Sequence, residues 1–238
     1  VLEGEKPLHI TGNLLINYLL GADIHFATTK EDQRLTIDRL VSTLEEDGCR
    51  PFVLSDSPMF ALSAALAYTE ATLELLAQLE NLAIDLSSLH IYLSSSGKGQ
   101  PGVELATRSL NLPIKVIGVS AMNTQESVHQ MIAKGTNDAA KFLGLNLTVS
   151  SQNINNRTEF IGKGYGIPTN ESLEAISRVA HTDALLLDPI YTGKAFAAIL
   201  ADIKNGSLTK NDTVVFIHTG GLPLLFSDTS ILQTISTH

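Results

Sequence analysis

The chain has 238 residues, 44% hydrophobic and 17% charged, with 25 acidic against 16 basic side chains and a net charge of −9. It is long enough to bury a core without disulfide or metal staples, and too apolar for a disordered chain. The acidic balance and the lack of a Lys/Arg cluster argue against a nucleic-acid partner. No apolar run reads as reaching the roughly 18 residues of a membrane span, so no membrane partner is expected. The single cysteine, Cys49, excludes an internal disulfide framework. It reads as an inert structural thiol in a reducing, cytoplasmic setting. The first residue is Val1 and the first methionine Met59; the expectation is a removed N-terminus or a piece of a longer polypeptide.

In chain order, strand-like runs rich in Val, Ile and Leu fall at 22–28, 51–54, 90–93, 115–119, 184–187 and 213–219. Helical spacing lies between them. Leu35, Ile37, Leu40, Val41 and Leu44 form one stripe, and Leu66, Leu73, Leu75 and Leu76 a longer one ending near Leu79. A helical run follows at 103–110. Leu173, Ile176, Val179 and Ala180 make another stripe, with Asn170 and Ser172 as cap candidates. Strands alternating with helices predict an α/β fold with a parallel sheet buried on both faces. A break at Ser55-Asp56-Ser57-Pro58 divides a small unit, 1–57, from a larger one, 58–238.

Four segments carry candidate chemistry. Ser94, Ser95, Ser96, Gly97, Lys98 and Gly99 lie between a strand and a helix, where free backbone N–H groups make either an anion cradle or an ordinary flexible turn. The spacing fails the P-loop motif, because Gly99 rather than Ser or Thr follows Lys98. Gly162-Lys163-Gly164-Tyr165-Gly166 projects a tyrosine, as a site residue or as a lid over core. Asp188-Pro189-Ile190-Tyr191-Thr192 ends one strand-like run, and His218-Thr219-Gly220-Gly221 ends another. Ligands of open α/β sheets bind at strand carboxyl ends. His218 reads as structural more readily than catalytic. The four loops together point to one shared ligand that carries a phosphate.

In this order the segments resemble the D-cysteine desulfhydrase and 1-aminocyclopropane-1-carboxylate deaminase family, pyridoxal-phosphate enzymes of fold type II (tryptophan synthase β-like). The resemblance rests on Thr11-Gly12-Asn13-Leu14-Leu15 and Gly21-Ala22-Asp23-Ile24, and on Gly164-Tyr165-Gly166-Ile167-Pro168. It rests further on the Asp188-to-Lys194 and His218-to-Pro223 motifs. It implies two domains of three-layer open sheets: 1–57 as part of the small domain, 58–238 as most of the large one. It implies that Ser94 to Gly99 hold the cofactor phosphate and that Tyr165 and Tyr191 flank a small amino-acid substrate. Thr192 would hydrogen-bond the pyridine nitrogen, with Thr219 also at the cofactor. A hydroxyl there, where the deaminases place Glu, favours β-elimination to pyruvate and ammonia. D-cysteine, L-cysteate, D-serine, diaminopropionate and aminocyclopropane carboxylate all suit such a site. A homodimer of the complete protein, or a companion N-terminal segment, is expected.

Three departures from the family pattern stand out. Lys98 and Gly99 replace Gly and Thr, and Lys98 is expected to strain a turn built for glycine. Ser55-Asp56-Ser57-Pro58 replaces a Gly-Gly-Ser-like run. The Schiff-base lysine and its Ser-Asn-Gln motif would lie upstream, since none of the ten lysines sits in that context. An alternative is therefore a non-catalytic relative that binds a small anion or a partner.

Overall fold

The chain divides into two compact units, Val1–Ser57 and Pro58–His238. The structure, a computed structural model, describes residues 1–54, 58–122 and 124–227. The break read at Ser55-Asp56-Ser57 lies outside the described residues.

In the first unit, β1 (Leu2–Glu3) pairs in parallel with β2 (Phe26–Ala27), accompanied by α1 (Gly12–Leu19) and α2 (Lys30–Glu46). The Thr29 hydroxyl caps α2 by accepting from the Asp32 N–H at 3.1 Å, and Glu31 and Asp32 set negative charge against the helix start. The strand read at 22–28 shrinks to two residues, and 51–54 forms none. Phe52 and Leu54 are exposed, so that apolar run has no strand or core to join. Cys49 is exposed in the turn after α2, so the thiol is not a buried structural one.

In the second unit the elements are α3 (Pro58–Asn81), β3 (Leu89–Ser94), α4 (Gln100–Ser109), β4 (Lys115–Val119), α5 (Gln125–Phe142), β5 (Asn156–Arg157), α6 (Asn170–Asp183), α7 (Thr192–Asn205), β6 (Thr213–Ile217) and α8 (Leu222–Leu225). The four strands form one parallel sheet in the order β5-β4-β3-β6. Period-two alternation fills both faces. Leu89, Ile91 and Leu93 of β3, Val116 of β4, and Val215 and Ile217 of β6 pack with Val103 of α4 and Leu79 of α3. Tyr92, Ile117, Val119, Val214 and Phe216 pack instead with Ala195, Ala198 and Ile199 of α7. Helices thus cover both faces of a parallel sheet, as the alternation of strands and helices predicted.

Three local readings are corrected. The run 184–187 is not a strand: α6 ends with Ala184 in the left-handed region at φ +55, and Leu187 alone of the run is buried. The cap of α6 is Thr169, which exchanges hydrogen bonds with Ser172 in a capping box. Finally, Met59–Asn81 within α3 is long and apolar enough to cross a membrane by length and composition, a test that core helices of soluble proteins also pass. Its Ala65 and Thr69 lie buried against α4.

Candidate active site

Parallel strands release their loops at one end of the sheet, and here those loops are tied to each other. Leu93 of β3 pairs with Ile217 of β6, so the 94–99 loop and the His218-Thr219-Gly220-Gly221 loop leave side by side. The second loop then meets Asp188. A Cβ on Gly221, whose φ is +94, would lie 2.5 Å from Asp188 Oδ2. Only glycine permits both that conformation and that approach. His218 Nε2–H donates to Leu186 O at 3.0 Å, while Nδ1 accepts from the Gly220 N–H at 3.3 Å. Both bonds require the neutral Nε2–H tautomer. His218 is therefore a tie between loops, in line with its structural reading.

Asp188 organises the start of α7. It is 0% exposed. Its Oδ1 accepts from the N–H groups of Ile190 (2.8 Å) and Tyr191 (2.7 Å), and its Oδ2 from the Thr192 N–H (2.8 Å) and hydroxyl (2.5 Å). The sequence reading quoted Asp188 without a role. The available signal was an Asp-Pro pair just before a helix, where a carboxylate collects unpaired N–H groups.

The same geometry engages Thr192. Its hydroxyl donates to Asp188 Oδ2 and accepts from the Asp188 N–H at 2.8 Å, and the residue is 0% exposed. The single hydroxyl proton is spent, so no donor remains for a pyridine nitrogen. Thr219 is half-buried, and its hydroxyl has no hydrogen-bond partner among the described residues.

Tyr165 and Tyr191 come together: their hydroxyls hydrogen-bond and their ring centroids lie 6.1 Å apart. Tyr191 stands at the N-cap of α7 and is half-buried; Tyr165 is exposed on its glycine-rich loop. Burial first, then the bond to Tyr165 and the nearby Asp188 charge, push the Tyr191 phenol well above its ordinary pKa. Lys194, in the first turn of α7, is also fully buried, and its Nζ donates to Ile161 O at 2.8 Å, which ties the Tyr165 loop to α7.

The 94–99 loop is built differently. Gly97 takes φ +113, whereas Lys98 is not left-handed, so the expected strain at Lys98 is absent. Lys98 is exposed, with Nζ 4.9 Å from the centre of the Phe60 ring. Ser95 Oγ accepts from the N–H groups of Gln100 (3.1 Å) and Gly97 (3.4 Å). Ser96 Oγ meets Ser120 Oγ at 3.0 Å and accepts from the Ala121 N–H. Ser94 closes β3 and is half-buried. Gly99 is the N-cap of α4 and offers no side chain, and no acid stands in that helix's first turn. Beneath the loop, Asn156 of β5 donates to Ser95 O (2.8 Å) and to Gln100 Oε1 (2.9 Å), holding the loop to the sheet.

The chain matches the family model described as pyridoxal-phosphate dependent enzyme over residues 3–220. Among solved structures it is similar to an ACC deaminase homologue, with 25% identity and a TM-score of 0.81, over 98% of this chain and 69% of that one. It shares its fold with the processed form of threonine deaminase isoform 2 from Solanum lycopersicum (17% identity, TM-score 0.52, 92% of this chain and 61% of that one). It shares it also with a second threonine deaminase (18% identity, TM-score 0.51, 85% of this chain and 64% of that one). The chain thus spans between 61% and 69% of the length of these proteins.

Proposed function

The chain belongs to the pyridoxal-phosphate-dependent enzymes of fold type II, and from that premise we propose that it carries most of a lyase or deaminase that acts on a small amino acid. The reaction is β-elimination to pyruvate and ammonia, as in a D-cysteine desulfhydrase. The bound cofactor supplies a π-system that draws electrons from the substrate's α-carbon. The observation that carries the reading is the Tyr165–Tyr191 hydroxyl pair at the start of α7, a turn whose Asp188 meets the Gly221 loop that leaves β6.

The residues present fit the cofactor. The 94–99 loop stands at the start of α4, where the Gln100 N–H is met by a neutral hydroxyl, Ser95 Oγ, and no acid competes, which suits a phosphate. Thr219, with its unpartnered hydroxyl, is the residue we place at the ring in the role first given to Thr192. Tyr191 stays protonated through the physiological range because burial raises its pKa. It can therefore orient a substrate by donating from Oη, or pass that proton to a departing group, with Tyr165 as the partner that accepts or resupplies it. Asp188 holds the helix start that aims Tyr191. Lys194 has its amine committed to Ile161 O; because none of the ten lysines stands in the family's Schiff-base context, we assign the lysine that holds the cofactor covalently to a segment outside these 238 residues. A cytoplasmic setting is part of the same proposal, as is a homodimer of the complete protein or a companion N-terminal segment.

The test uses the complete protein with added pyridoxal phosphate. Keto acid and ammonia are measured from D-cysteine, L-cysteate, D-serine, diaminopropionate and aminocyclopropane carboxylate. Turnover of at least one is expected, with Tyr191→Phe lowering kcat by about 10²- to 10⁴-fold. Bound cofactor with no keto acid from any of them would overturn the lyase reading in favour of a non-catalytic binder.

A further inference from the structure

The N-cap of α4 has no side chain of its own, yet its side-chain position is filled. A Cβ on Gly99 would lie 3.1 Å from Cζ of Tyr68 and 3.2 and 3.3 Å from its Cε1 and Cε2. The hydroxyl end of the Tyr68 ring therefore stands where a residue at 99 would project. The approach is built into the packing of α3 on α4. The Thr69 hydroxyl lies within hydrogen-bond distance of Ala65 O (2.8 Å) and Gly102 O (3.3 Å). A Cβ on Gly102 would meet Ala65 O at 2.2 Å and Tyr68 Cβ at 2.6 Å. Two helices this close lay the Tyr68 ring along the first turn of α4.

The Tyr68 hydroxyl has no hydrogen-bond partner among the described residues. Burial pushes its phenol pKa up, so it is a neutral O–H donor at physiological pH. In the loop below, the Ser96 hydroxyl is engaged with Ser120, Gly97 and Gly99 have none, and the Ser95 hydroxyl accepts from two N–H groups while keeping its own proton to donate.

We propose that Tyr68 Oη donates to the cofactor phosphate, supplying from α3 the side-chain contact that the N-cap of α4 lacks. The inference rests on the reading above that the 94–99 loop seats the phosphate. A phenol O–H aimed at an ionised oxygen is a charge-assisted bond, stronger than its neutral counterpart.

The experiment is equilibrium binding of pyridoxal 5′-phosphate and of pyridoxal, which lacks the phosphate, to the complete protein and its Tyr68→Phe variant. The ³¹P resonance of the bound phosphate is recorded alongside. Phe keeps the ring against Gly99 and removes only the hydroxyl. We expect affinity for the phosphate form to fall about ten- to a hundredfold, pyridoxal affinity to stay within about twofold, and the ³¹P resonance to shift. An unchanged affinity for the phosphate form, or an equal loss for both ligands, overturns the inference while leaving the lyase reading intact. A wild-type protein that binds neither ligand overturns both.

Discussion

Helices α4 and α7 begin at the same end of the same sheet, and they treat their first N–H groups in opposite ways. Each helix start carries roughly half a positive charge and several N–H groups without intrahelical partners. At α7 the buried Asp188 carboxylate takes the first helical N–H, that of Thr192, with the N–H groups of Ile190 and Tyr191 just before it and the Thr192 hydroxyl, at 2.5 to 2.8 Å. In α4 the N-cap is a glycine, the first turn holds no acid, and the Ser95 hydroxyl reaches the Gln100 N–H at 3.1 Å. A helix end that already holds its own anion has no need of a second. The same architecture thus yields a closed platform that aims Tyr191 and an open end suited to a phosphate.

The closed end is the easier to break. Asp188→Ala leaves at least three buried N–H groups facing a void and is expected to cost about 3–5 kcal/mol, read as a lower urea midpoint of the complete protein. A cost under about 1 kcal/mol would mean that Asp188 does not hold the turn. Thr192→Val is milder. It removes one hydroxyl from the carboxylate and orphans the Asp188 N–H, at about 1–3 kcal/mol. Because the Thr192 proton is spent on Asp188, the absorbance of bound cofactor should stay where it is, whereas Thr219→Val should move it. The reverse pair of results would return Thr192 to the pyridine nitrogen.

This contrast explains what is legible in the sequence alone. The run 115–119 matches β4 residue for residue and 90–93 falls inside β3, because a central parallel strand must be apolar on both faces. The run 184–187 is as apolar and is not a strand. Only Leu187 is buried, and the left-handed Ala184 and the sideways bond to His218 are tertiary features that no period reveals. Tyr165 and Tyr191 stand out in the sequence because glycine flanks one and a helix start follows the other, and the structure brings their hydroxyls together. The Thr192 hydroxyl meets the Asp188 carboxylate four residues before it, a local contact whose sequence signal is the Asp-Pro pair ahead of the helix. Tyr68 is unreadable because its target is the missing side chain of Gly99, on another helix.

The smallest expected effect concerns the charge that sits at the closed end. Lys194 lies in the first turn of α7, where a cation opposes the helix dipole, and it is fully buried. Burial lowers its pKa below the ordinary lysine value of 10.5, although the Asp188 charge pulls the other way. The folded protein therefore holds this proton less tightly than the unfolded chain does. The penalty is complete below the folded pKa, shrinks as pH rises through it, and is gone above the unfolded value. Lys194→Met removes that penalty and also the bond to Ile161 O, so at neutral pH the net change should stay within about 1 kcal/mol. Between pH 7 and 11 the wild type should gain stability relative to the variant, measured as the difference between their urea midpoints. Tyr92 and Tyr191, whose phenol pKa values are raised, titrate in both proteins and cancel in that difference. A difference that does not change with pH would place the Lys194 amine in water, and the closed end of α7 would then be wetter than its buried carboxylate implies.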